Sequence, residues 1–508
     1  MKPCLVEITE LDQIHNTIIR SSQRSERSEK GQFLTPTAIA QFMAGLFRNN
    51  VSNIRLLDAG AGAGVLFTYC TEHFINKTNK PKTIEITAYE NDEKLESYLD
   101  EAINYCKTIC HNSDIDFQGQ VRIKDFIQCG TVILSENLFQ KEEKLFTHAI
   151  LNPPYKKINK NSRTRALLDA SDFQVSNLYA AFVWLAAKML EKGGELVFIT
   201  PRSFCNGPYF CKFRKALLSI MAIQHIHVFN SRKKAFNNDK VLQENVIIHA
   251  IKETYTPSEV TISSSEGLDF HNMQVKHVPY ENVVLPNDKD SYIHLITNDR
   301  DEEVIKNMQE FNTSLHELGI EVSTGRVVDF RASKYLQMNP DNDSVPLIYP
   351  FNFQDGFITW PLKSTKKPNA IKVTEKTRDL LINSGYYILT KRFSTKEEKK
   401  RVVASVYDPQ RIRYMSVAFE NHLNYFHKKH NGMSQELAKG LLLYINSSLF
   451  DNYFRLFSGH TQVNASDLRK MRYPTYEQLI QLSTYVNDFI PEQDVIDSII
   501  DKVCKYNG

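Results

Sequence analysis

The pattern of apolar and polar positions divides the chain into two stretches of different rhythm. Between about residues 35 and 255, short apolar runs of strand length alternate with longer segments whose apolar positions recur at helical spacing. The run "NIRLLDAGAGAGVLF" (53–67) reads as a strand, a glycine-rich turn and the start of a helix, and "IEITAYE" (84–90) as a second strand. "ESYLDEAINYCKTIC" (96–110) has helical spacing before it gives way to a third strand, "VRIKDFI" (121–127). "FTHAILNPPY" (146–155) is a fourth strand with its turn, and "LYAAFVWLAAKMLEKGGELVFITP" (178–201) a long helix, a Gly-Gly stop and a buried strand. "QHIHVFN" (224–230) and "ENVIIHAIK" (244–252) complete the set. Near-continuous apolar runs predict strands covered on both faces, so the expected fold is α/β, a Rossmann-like doubly wound mixed sheet.

Outside this stretch the pattern changes. Residues 10–22 read as a short helix followed by the polar segment "SSQRSERSEKGQ". Beyond about 255 the strands shorten and turn residues multiply, with "DEEVIKNMQEF" (301–311) the clearest helix. A boundary near 295 is predicted, giving a first domain over 1–295 and a C-terminal α+β domain over 296–508. A length of 508 residues suits two or three domains.

Composition narrows the class of protein. With 42% hydrophobic and 24% charged residues the chain can bury a sizeable core in water. No apolar run approaches the ~18 residues of a membrane span, and "MKPCLVEITELDQ" lacks the apolar segment of a signal peptide. The eight cysteines form no C-x-x-C pair and no histidines stand at zinc spacing, which predicts reduced thiols, a cytoplasmic protein and no metal site. The net charge of +3 is unevenly spread. Residues 151–250 carry 15 basic and 6 acidic side chains (+9), 251–350 carry 8 and 17 (−9), and 351–450 carry 17 and 8 (+9). Two basic blocks suggest a polyanion held by two parts of the protein, although ordinary solvated surface gives the same counts.

Four strand ends carry the candidate chemistry. After the first, "DAGAGAG" places Asp58, Gly60, Gly62 and Gly64 between a strand and a helix, where glycines let backbone amides approach a ligand closely. The spacing is G-x-G-x-G, with Val65 where a dinucleotide fingerprint needs glycine, which counts against NAD. Glu90 ends the second strand, where an acid can hold both hydroxyls of a ribose. Asp125 ends the third, placed to accept from an adenine amine, with Phe126 beside it to cover the ring. Singly each acid reads as a helix cap or turn residue; together they outline a nucleoside pocket. The fourth end is Asn152-Pro153-Pro154-Tyr155. Prolines fix φ and remove N–H donors, leaving a rigid turn whose carbonyl projects as an acceptor. With the Asn152 side-chain oxygen, the Pro153 carbonyl can hold both protons of one NH₂ group and free its lone pair. Tyr155 offers a flat face to the ring that bears the amine.

In this order the motifs resemble those of the S-adenosylmethionine-dependent DNA adenine-N6 methyltransferases with the TaqI-like (gamma) arrangement. "KGQFLTPTAIAQFM" (30–43) resembles the family's N-terminal motif, which implies that Thr35 contacts the methionine part of S-adenosylmethionine. "LLDAGAGAG" resembles the main cofactor loop, "AYEND" the ribose-binding acid, "KDF" the adenine-binding pair and "LNPPY" the catalytic motif. By the same resemblance Phe182 lies near the cofactor adenine and Phe236 forms a second wall around the flipped base. The layout is similar to modification enzymes of the PstI and BsuBI type, which implies CTGCAG as the target. It also implies double-stranded DNA as partner, a separate restriction endonuclease, and action as a monomer.

Other readings share parts of this pattern. N-P-P-Y also serves enzymes acting on glutamine side chains, on guanine N2 or adenine N6 of RNA, and on cytosine N4 of DNA. The two hundred residues after 295 argue against the glutamine enzymes, while the RNA and cytosine-N4 readings stay open. Cytosine C5 chemistry needs a nucleophilic Pro-Cys pair, and the only one, Pro3-Cys4, precedes every motif. A nuclease reading would rest on Glu397 and Lys399, an E-x-K with no Pro-Asp partner. Lys156, Lys157, Arg163, Arg392, Lys399 and Lys400 are candidate phosphate contacts, and Arg326, Gln462 and Asn464 candidate base contacts.

Overall fold

The computed structural model describes residues 35–136, 145–230, 244–457 and 462–505, apart from positions 172, 174, 254, 287, 364–365 and 395–397. The helix expected over 10–22, Phe236 and Glu397 lie outside the described residues. The chain separates into two compact units, 1–297 and 298–508.

The first unit is built on a nine-stranded sheet. Its strands are β1 (Asn53–Ala59), β2 (Thr83–Glu90), β3 (Asp116–Ile123), β4 (Phe146–Leu151), β5 (Leu190–Pro201), β6 (Ala222–Phe229), β7 (Asn245–Ile251), β8 (Glu259–Ser265) and β9 (Gln274–Pro279). The spatial order is β3-β2-β1-β4-β5-β7-β6-β8-β9. Strands β1 to β5 run parallel, and β7 lies antiparallel between β5 and β6. The helices of this unit include α1 (Thr37–Ala44), α2 (Val65–Ile75), α3 (Glu96–His111), α4 (Phe126–Glu136), α5 (Arg163–Ala170) and α6 (Leu178–Met189). Ile54 and Leu56 of β1 share one core with apolar side chains of α1, α2 and α3, while the alternate residues Leu57 and Ala59 are buried outside that core. Burial on both faces explains why β1, β4 and β7 read as unbroken apolar runs. The sheet is therefore of the doubly wound, mixed α/β class, as the pattern predicted.

Strand order fixes where a ligand can sit. The chain winds outward through β1, β2 and β3, then returns to lay β4 on the other side of β1. The carboxyl ends of β1 and β4 thus flank the point where winding reverses, which opens a crevice in such sheets. In register Asp58 of β1 is level with Ile150 of β4, so Gly60 and Asn152, two residues further along each strand, emerge side by side.

Two local readings differ from the sequence pattern. The third strand begins at Asp116 and ends at Ile123, so Asp125 lies beyond it. The Asp125 side chain accepts from the Ile127 and Gln128 amides (2.8 and 3.1 Å), a cap that starts α4 at Phe126 instead of extending the strand. At "EKGG", strand pairing already begins at Leu190, directly after α6, and Gly193 takes φ +79°. The glycines serve an irregularity in β5, not a helix stop.

The second unit contains a six-stranded and a five-stranded sheet of short, mainly antiparallel strands, with helices such as Gln435–Ile445 and Tyr476–Ser483. Its core is aromatic: Tyr387, Tyr407, Phe419 and Tyr425 are fully buried in mutual ring contact. Among the described residues no helix is long and apolar enough to cross a membrane.

Candidate active site

The crevice is assembled from loops at successive strand ends. After β1 the backbone turns on Gly60, Gly62 and Gly64, at φ +78°, +58° and +82°. At Gly64 a Cβ would also fall 2.6 Å from the Phe67 ring and 2.9 Å from Ala102, so only glycine lets α2 start there. The Gly60 and Ala61 amides both donate to the Tyr89 carbonyl (2.9 Å each), which seats the loop over the end of β2.

That seating brings Glu90 into the loop. Its Oε2 accepts from the Gly62 amide (2.9 Å), and its Oε1 from the Asn91 and Asp92 amides (2.9 and 3.0 Å). Burial raises the carboxyl pKa, against the pull of these three amides. Asp58 is fully buried, and among the described residues neither of its carboxyl oxygens has a hydrogen-bond partner within normal distance. Burial pushes it up to about 8; the Phe67 amide opposes the shift and the Glu90 charge adds to it. Two buried acids beside an open glycine loop make a setting in which a cationic, hydroxyl-bearing ligand would relieve an unfavourable arrangement.

Aromatic rings close one side. Phe182 of α6 lies over Gly60, with Cε1 3.5 Å from where a Cβ would stand. Phe126 packs against Phe182 and Tyr89, each at a centroid distance of 5.2 Å. Asp125 is exposed, one oxygen engaged in the helix cap.

Past β4 the Asn152–Tyr155 turn is held from both sides. The Asn152 side-chain N–H donates to the Thr35 hydroxyl at 2.9 Å, and the Tyr155 hydroxyl donates to the Asn152 Oδ1 at 3.2 Å. Thr35 is buried just ahead of α1 and Asn152 half-buried, so the contact fixes which way the amide faces. Burial pushes the Tyr155 phenol well above its usual pKa, keeping it a donor. Beyond the turn, the Ile158 amide bonds the Ser176 carbonyl and the Leu178 amide the Lys156 carbonyl (2.8 Å each), locking the segment to the start of α6. Among the described residues no backbone amide outside the helices and strands donates to the Pro153 carbonyl.

Thr35, Asp58, Gly60, Gly62, Glu90, Phe126, Asn152, Pro153, Tyr155 and Phe182 thus converge on the reversal point of one sheet. Tyr179 joins them unforeseen: its ring meets Tyr155 edge-on at 6.1 Å and stacks on Phe210 at 5.5 Å. Its place three residues before Phe182, on the same face of a helix, was a usable signal. Lys156, Lys157 and Arg163 are exposed, as surface contacts require. Lys400 instead turns inward, its ammonium bonded to the Asn446 carbonyl at 2.5 Å.

Comparison with known proteins now bears on this geometry. Residues 15–236 match the family described as Eco57I restriction-modification methylase. The chain is 44% identical to type II methyltransferase M.PstI of Providencia stuartii, over 97% of this chain and 96% of that one. It is also 44% identical to type II methyltransferase M.BsuBI of Bacillus subtilis, over 94% of each. Among solved structures, the type IIG restriction endonuclease BpuSI aligns with 95% of this chain and 65% of its own, at 15% identity and a TM-score of 0.45. With near-complete alignment to two such relatives, the chain belongs to the type II restriction-modification methyltransferases.

Proposed function

We propose that the chain transfers a methyl group from S-adenosylmethionine to the N6 amine of an adenine flipped out of a specific duplex DNA sequence. CTGCAG is the first target to try, and the modification would protect DNA from a partner endonuclease. The observation that supports this reading is the Thr35–Asn152–Tyr155 chain of hydrogen bonds at the reversal point, which would orient an amide oxygen beside a proline carbonyl towards one amine.

The residues present fit the cofactor. Asp58 and Glu90 suit its ammonium and ribose hydroxyls, the glycine loop gives its chain room, and Phe126 and Phe182 suit its adenine. When bound it supplies an electrophilic methyl group on sulfur. The protein's own part is positioning. An exocyclic amine is a weak nucleophile because its lone pair is delocalised into the ring. The Asn152 Oδ1, an oxygen with two lone pairs, would with the Pro153 carbonyl draw both amine protons out of the ring plane. The amine cannot be reached inside a base stack, so the base must leave it. Tyr155 then provides one stacking face, with Phe236 the expected second.

Expression in a methylation-free host, followed by sequencing of its DNA for modified bases, tests the reading. N6-methyladenine at one recurring sequence is expected; modification confined to cytosine N4, or to RNA, would overturn it.

A further inference from the structure

In the C-terminal unit, two segments distant in sequence converge on one tight turn, Glu420–Leu423, closed by the Leu423 amide on the Glu420 carbonyl at 3.0 Å. On one side Val327 pairs with Glu420, and its carbonyl accepts the Asn421 amide at 2.8 Å. At Gly325 a Cβ would fall 2.1 Å from the Glu420 carbonyl oxygen, so the two backbones are packed without slack. On the other side the Arg392 amide donates to the His422 carbonyl at 2.8 Å. The turn is therefore a rigid platform.

The two segments paired with it carry side chains unusual for a solvated surface. Phe330 and Phe393 are 77% and 46% exposed. Each has the guanidinium of its neighbour over its ring, Arg331 at 5.4 Å and Arg392 at 5.8 Å. Beside Phe393 stands His422, its side chain half exposed and its ring 4.9 Å from that of Phe393. The His422 Nδ1 is tied to Glu420, a buried carboxylate that also accepts the His422 amide at 2.9 Å. The imidazole is thus held by one nitrogen, and among the described residues Nε2 has no partner.

A protein partner would call for bare apolar area, whereas Phe330 and Phe393 each carry a cation. Planar groups flanked by guanidinium fit stacked bases edged by phosphates. The surrounding residues 351–450 carry the net +9 noted above.

We propose that this turn is the surface through which the C-terminal unit reads duplex DNA. The His422 Nε2 meets a base edge, Arg331 and Arg392 meet phosphates, and the two phenylalanines pack on the sugar-base surface beside them. This rests on the reading of the chain as a DNA methyltransferase. The test compares the full chain with His422→Ala, Arg331→Ala and Arg392→Ala. Methyl transfer is measured to a CTGCAG duplex, or to the sequence found in the host if it differs, and to duplexes altered at one base pair.

His422→Ala is expected to lower kcat/KM on the cognate duplex about 10- to 100-fold and to narrow its preference over one altered duplex. The arginine variants are expected to weaken cognate and altered duplexes alike and to reduce the slope of log affinity against log salt by about one each. Cofactor affinity, measured by calorimetry, is expected to stay at the wild-type value and so to report an intact fold. If all three variants keep the wild-type KM, preference and salt slope, the surface is not the reader. A wild-type chain that transfers no methyl group to duplex DNA would overturn the functional reading itself, and the two failures are therefore distinct.

Discussion

Helix α1 is tied to the sheet at both ends, by groups of similar chemistry in different surroundings. Ahead of it, the Thr35 hydroxyl accepts from Asn152 at the carboxyl end of β4. Past its other end, the Arg48 and Asn49 amides donate to Glu195 of β5 at 3.0–3.2 Å. His148 and His249 stand 3.6 and 3.3 Å from the same carboxylate. All three side chains of this second cluster are fully buried. Burial raises the Glu195 pKa, but His249, His148 and the Asn49 amide outweigh it and hold the carboxyl below its ordinary value. The carboxylate is occupied by two backbone amides and faced by two buried imidazoles, an arrangement suited to holding the helix to the sheet. At Asn152 the amide is held by the Thr35 and Tyr155 hydroxyls at the carboxyl end of β4, beside the reversal point of the sheet. The two ends of one helix thus use similar polar contacts in different places, one at the strand ends where a ligand can sit and one sealed in the core.

Substitutions at the two ends should therefore separate activity from stability. Asn152→Ala is expected to lower methyl transfer by at least about 10²- to 10³-fold, with cofactor affinity by calorimetry within a few-fold of wild type. Near-wild-type transfer would remove Asn152 from the chemistry. Glu195→Gln is expected to do the reverse. Breaking a buried charge network typically costs about 3 kcal/mol, readable in denaturant unfolding, while turnover per folded molecule stays unchanged. A turnover defect as large as that of Asn152→Ala would erase the distinction between the ends.

Acid should destabilise the fold through the buried histidines of the sheet. Burial lowers His148 to about 4, with Glu195 pulling against it, and lowers His225 to about 3 and His227 to about 4. Between pH 6.5 and about 4 these histidines take up protons in the unfolded chain but not in the folded one. Stability is therefore lost as pH falls through that window, by up to about 1.4 kcal/mol per pH unit for each histidine. Unfolding midpoints flat between pH 6.5 and 4.5 would contradict the assignment. The smallest effect is expected at Thr35. Thr35→Val removes one acceptor, worth about 1–1.5 kcal/mol, so kcat should fall about 10-fold and Thr35→Ser should restore it. A loss confined to cofactor affinity would instead make Thr35 the direct cofactor contact that the motif resemblance implies.

The same contrast explains what was legible in the sequence. β1, β2, β4, β5 and β7 showed as apolar runs because most of their residues are buried, and the glycine loop and N-P-P-Y stood at their ends. β3, "DFQGQVRI", is largely exposed and carries no such signal, so its bounds slipped and Asp125 was placed at a strand end when it caps a helix. β8 and β9 extend the sheet from a region whose serines, histidines and turns read only as short strands. The Thr35–Asn152 bond joins residues 117 positions apart. The motifs named both residues, but only the register of β1 on β4 and the placement of α1 bring them into contact.

The most direct measurement is identification of the modified nucleoside. Purified protein, labelled S-adenosylmethionine and a CTGCAG duplex, or the duplex found by sequencing, are incubated, and the DNA is digested to nucleosides. Label is expected in N6-methyl-2′-deoxyadenosine with wild type and none with Asn152→Ala. Label in N4-methyl-2′-deoxycytidine, or equal labelling by the variant, would contradict it.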